Sequence, residues 1–67
     1  MDPAERVRTL LLRGDNLLKS ERLERSLAAF EQAHEAALDP AVDPRVRDLV
    51  ERRLETARSL AEGGGRS

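Results

Sequence analysis

The sequence predicts an all-α chain of three helices, and three observations carry that prediction. Apolar residues recur at three- and four-residue spacing along most of the chain, and an Asp-Pro pair stands where the first and third periodic segments begin. No stretch alternates with a period of two between turn residues, so no strand is assigned.

Helix 1 is expected over about residues 3–19. Asp2 suits the capping position, Pro3 the first helical position, and Glu5 completes a capping-box spacing. Helix 2 is expected over 21–38, with Ser20 as its N-cap after a very short turn. Leu23, Leu27, Phe30, Ala33, Ala37 and Leu38 lie on one stripe before Asp39-Pro40 ends it. Asp39 to Pro44 is read as a stiff linker in which Asp43-Pro44 repeats the cap-plus-proline device. Helix 3 then covers 44–62, with Val46, Leu49, Val50, Leu54, Ala57 and Leu60 on its apolar side. Residues 1–62 thus form one domain, and residues 63–67, rich in glycine, a flexible tail. Four i,i+4 pairs, Glu21 with Arg25, Arg47 with Glu51, Asp48 with Arg52 and Arg58 with Glu62, add about 0.2–0.5 kcal/mol each to their helices.

A chain of 67 residues buries only about 60% of its unfolded surface. Eleven Leu, four Val, one Phe and one Met, with nine Ala, suffice for one layer of packed helices and little more. Without Cys there are no disulfides, so oligomerisation is the expected supplement. Twelve basic and thirteen acidic residues are interspersed along the chain, a pattern that steers no strong polyanion or polycation. Arg outnumbers Lys eleven to one, read as GC-rich coding in a bacterial source. Without a basic-plus-apolar leader or an apolar run of membrane-spanning length, a soluble cytoplasmic protein is expected.

The order Leu10, Gly14, Leu17, Leu23, Leu27, Phe30, Ala33 and Asp39-Pro40 resembles one tetratricopeptide repeat. That resemblance implies a helical hairpin in which Gly14 admits the second helix, closed by a third packing helix: a three-helix, tetratricopeptide-like antiparallel bundle. Arg13 departs from the usual Leu, Ser26 from the usual Ala, and Glu21 stands near the usual turn Gly. The family's clamp for a terminal carboxylate is not carried over, because Asp15 lies between Arg8 and Lys19 and would repel a carboxylate. Val46, Leu49, Glu51, Leu54, Ala57, Arg58 and Leu60 are also similar to the third helix of microtubule-interacting and trafficking domains, which bind short helical peptides between helices.

Catalytic chemistry finds little support. There is one His and no Cys or Tyr, and a lone His falls short of a zinc site. His34, between Phe30 and Ala37, is read as a partly buried packing residue. Glu31 and Glu35 are read as a solvated acidic pair, and Arg13-Gly14-Asp15 as a coincidental tripeptide within a helix. No cofactor, metal ligand or catalytic residue is assigned, and the chain is not expected to be an enzyme.

Helix 1 carries more leucine than one face can hold. If Leu10, Gly14 and Leu17 face helix 2, Leu11 and Leu18 turn toward helix 3 and Leu12 toward solvent. The expected function is a non-catalytic protein-protein interaction module, self-associating as a homodimer or holding a partner helix or peptide in a groove lined by helices 1 and 3. Leu11, Leu12 and Leu18 would give contact area, with Arg8, Asp15 and Lys19 at the rim. The alternatives are a small nucleic-acid-binding regulator using Arg45, Arg47, Arg52 and Arg53, against which the interleaved Asp48, Glu51 and Glu55 argue, or an accessory subunit of an enzyme.

Overall fold

Three helices, α1 (Pro3–Lys19), α2 (Leu23–Ala37) and α3 (Pro44–Gly64), make up the computed structural model, which describes residues 2–64. The fold is an all-α three-helix bundle, with no strand among the described residues. α1 and α2 form an antiparallel hairpin whose contact is set at Gly14. A Cβ on Gly14 would stand 2.5–2.8 Å from three ring carbons of Phe30. Only hydrogen leaves room for the ring, which is wholly buried. Beside it the buried Ser26 hydroxyl donates to the Gly14 carbonyl at 2.7 Å, so this departure from the repeat pattern serves the helix crossing.

The turn out of α1 explains Glu21. Arg22 N–H reaches back to the Leu17 carbonyl at 2.9 Å and Glu21 N–H to Leu18 at 3.1 Å, the double closure of a Schellman motif. That motif puts Glu21 at the left-handed position, with φ 62°, where glycine is the usual occupant. Ser20 therefore ends α1 and does not cap α2, as its spacing suggests: its hydroxyl donates to the Asn16 carbonyl at 3.0 Å. α2 begins at Leu23, with Arg22 in the capping position.

The two Asp-Pro devices differ. Asp2 has the extended backbone of a cap residue, but its carboxylate makes no capping hydrogen bond. Asp43 caps α3 fully, its carboxylate accepting from Arg45 N–H at 2.9 Å and its carbonyl from Val46 N–H at 2.9 Å. α3 continues through Gly63 to Gly64, so the first two residues of the expected tail are helical. Gly65 to Ser67 lie outside the described residues.

The segment read as a linker contributes to the core. Asp39 folds it into a turn, its carboxylate accepting from Ala41 N–H and its carbonyl from Val42 N–H, both at 2.9 Å. The turn drives Val42 inward to 2% exposure. Arg47 closes the same corner by donating its Nε to the carbonyl of Ala37, the last residue of α2, at 3.0 Å. Val7, Leu10 and Leu11 of α1 join Phe30 and Ala33 of α2 and Val50, Leu54 and Ala57 of α3 in one apolar cluster. α2 lies against both neighbours, whereas α1 and α3 meet mainly through side chains.

Three of the ion pairs among the described residues join different helices, and the fourth, Arg45 with Asp43, is local to the start of α3. None of the four i,i+4 pairs read from the sequence forms an ion pair among the described residues. Arg58 approaches Glu31 of α2 at 3.9 Å, and Glu51 approaches His34 at 3.3 Å.

Two substitutions test the hairpin. Gly14→Ala gains helix propensity but collides with Phe30, and is expected to lose about 1–2 kcal/mol net in urea unfolding. Adding Phe30→Leu should cost less than the sum of the two single changes, since both act on one contact. Glu21→Gly relieves the left-handed backbone and should raise the unfolding free energy by about 0.5–1 kcal/mol in the same assay.

Candidate functional site

α1 runs antiparallel to α2, and α2 to α3, so α1 and α3 run the same way, with a seam between them that their side chains close. Asp15 and Arg53 bridge it. Arg53 Nη1 donates to both carboxylate oxygens of Asp15, and the two side chains are part-buried. One turn back along each helix from this pair stand Leu12 on α1 and Leu49 on α3, which places them level with one another on the side away from α2. Leu12 is 62% exposed and Leu49 42%. Leu60, three turns beyond Leu49 on the same stripe of α3, is 48% exposed.

The six residues singled out on helix 1 divide accordingly. Leu11 is drawn into the core by α3 at 9% exposure, and Leu18 is half-buried. Asp15 is engaged by Arg53, which neutralises it. Leu12, Arg8 and Lys19 remain on the surface. Leu38, Leu49 and Leu60, read as part of apolar stripes, are exposed, because those stripes are wider than the faces that meet a neighbour. The signal was present in helix 3: Leu49 and Leu60 fall together on one edge, with Val50, Leu54 and Ala57 beside them.

Of the four arginines weighed for nucleic acid, three have partners within the chain. Arg53 binds Asp15, Arg47 binds the Ala37 carbonyl, and Arg45 lies 3.7 Å from Asp43. Arg53 and Arg47 are thereby partly withdrawn from solvent, whereas Arg45 and Arg52 remain exposed. His34 is half-buried as expected, but its ring also faces Glu51 of α3, a neighbour that helix 2 alone does not disclose. Glu31 and Glu35 are both exposed. Among the described residues no three His, Asp or Glu side chains stand close enough together to hold a metal ion, and no helix is long and apolar enough to cross a membrane.

A groove runs between α2 and α3. His34 lines its wall and Leu54 its floor, with Glu51, Glu55 and Glu62 along its rim. Arg58 is the cation set among them, in reach of Glu31. Compared with protein-family models, curated proteins and solved structures, the chain matches none.

The Asp15–Arg53 bridge tests how α1 and α3 are joined. Arg53→Gln should lower stability by no more than about 1 kcal/mol at low salt, because both side chains are partly solvated. The loss should shrink further in about 0.5 M salt, read by urea unfolding at the two ionic strengths.

Proposed function

We infer that this chain is a non-catalytic protein-interaction module, organised like a tetratricopeptide hairpin with a closing helix and working in the cytoplasm of a bacterium. Its interface is centred on Leu12 of α1, with Leu49 across the α1/α3 seam and Arg8 and Lys19 at the rim. It receives an amphipathic helix, either of another protein or of a second copy. The observation that carries the reading is the exposure of Leu12, at 62%, level with Leu49 at 42% on the same side of the bundle. A single exposed leucine is ordinary, whereas two beside one seam form an apolar strip flanked by charge, the anatomy of a helix-binding surface.

The reading is tested by backbone-amide NMR during titration with a leucine-rich amphipathic helical peptide carrying acidic flanks. Shift changes should concentrate on residues 8–19 and 49–60 and disappear in Leu12→Glu, whose circular dichroism should remain that of the parent. Shifts that ignore Leu12, or none at millimolar peptide, would overturn it.

A further inference from the structure

α1 exposes more cations than acids, whereas α3 exposes both signs, Arg45, Arg52 and Arg58 beside Asp48, Glu51, Glu55 and Glu62. On α1, Arg8 and Lys19 share the face of Leu12 with Glu5, Arg13 lies about a quarter-turn round the helix, and Arg6 borders the α1/α2 cleft with Glu35 and Asp39, while Asp15 is turned to Arg53. Across the molecule, the α2/α3 groove carries Glu31, Glu51, Glu55 and Glu62 against Arg58. A cationic helix with an apolar centre and an anionic groove with an apolar floor thus lie on different faces of the same chain.

The lining of the groove runs from Glu51 to Glu62 along α3, about 17 Å at 1.5 Å per residue, and meets α2 at His34. The bundle measures 42 × 18 × 13 Å between its Cα extremes, so its ends offer only about 230 Å², whereas a stable interface takes about 800 Å² per partner. A lasting contact must therefore run lengthwise along the helices.

Resting on the reading that Leu12 marks an interface, we propose that the partner is a second copy of this chain: the outer face of α1 lies in the acidic α2/α3 groove of its neighbour. Leu12 enters the groove beside the buried Leu54, and Arg8, Arg13 and Lys19 face its glutamates. The alternative symmetric pairing of α1 with α1 sets those cations against their own counterparts, which opposes association. Because helix and groove are different surfaces, the contact is heterologous. Each bound copy leaves one helix and one groove free, so assembly continues past a dimer or closes into a ring.

Light scattering over a dilution series, at about 0.05 and 0.5 M salt, reads the association directly. The mass of the wild-type chain should rise above twice 7.5 kDa at low salt, with the apparent dissociation constant at least about tenfold weaker at high salt. Arg8→Glu with Arg13→Glu should be monomeric, and so should Glu55→Arg with Glu62→Arg. These positions are exposed and make no ion pair among the described residues, and circular dichroism should confirm unchanged helix content. Mixing the two variants should restore assembly, because each supplies the charge the other now needs. A wild-type chain that stays monomeric at low salt, or charge variants that associate as the wild type does, would overturn the proposal. Association abolished by Leu12→Glu but untouched by both charge variants would retain Leu12 as an interface and reject the acidic groove as its partner. A monomer that also ignores the amphipathic peptide would remove both readings.

Discussion

The crossing of α1 and α2 at Gly14 is the contact on which the rest of the bundle is built. A hairpin of this length has a narrow choice: large residues at the crossing would hold the helices apart, and small ones on both sides would leave nothing to bury. Here one helix contributes no side chain and the other its only aromatic ring, so the axes come close while a large apolar group is removed from water. Ser26 fixes the axial register, because its hydroxyl reaches one particular carbonyl. With α2 set in this way, its remaining apolar edge faces α3, and the cluster from Val7 to Ala57 becomes continuous.

The core is finished unevenly. At the end where α2 gives way to α3 it is sealed by Val7, Ala37, Val42 and Val50, and Arg47 clasps the helix end above them. Toward the α1–α2 turn, Leu17, Leu18, Leu23 and Leu27 are only half-buried, and on α3 residues 58–63 are all exposed. A chain this small has little apolar surface to spare, so residues left outside the core stand out. Leu12, Leu38, Leu49 and Leu60 are more than the surface of such a domain needs for its own fold, and they give the interaction reading its physical basis.

Most of the fold was legible because it rests on local signals. The 3.6-residue spacing, the Asp43-Pro44 start and the small Gly14 that admits the second helix all lie within single helices or adjacent ones. What could not be read depends on where separate segments meet. Val42 is flanked by Ala41 and Asp43, and nothing in that neighbourhood marks it as buried. The pairing of Asp15 with Arg53 spans 38 positions, and that of His34 with Glu51 spans 17. Ser20 satisfies the pattern of an N-cap equally well as that of a helix end, and the chain reversal decides between them. Of the candidate site, Leu12, Arg8 and Lys19 were found on the surface as their helix phase implied, whereas Leu11 went to the core and Leu49 joined from the third helix. Charge was the subtlest case. Signs that alternate along the chain look neutral at every window, yet α1 exposes Arg6, Arg8, Arg13 and Lys19 against Glu5 alone once Asp15 is drawn to Arg53.

The joint between α1 and α3 has no counterpart to Gly14. Its cross-seam hydrogen bonds come from a single partly solvated side-chain pair, and the two backbones scarcely approach. The two joints therefore differ in kind: α1 and α2 interdigitate at Gly14 and Phe30, whereas α1 meets α3 through Leu11 in the apolar cluster and the one partly solvated ion pair. The hairpin is thus the frame of the bundle, and α3 is secured to it mainly through α2.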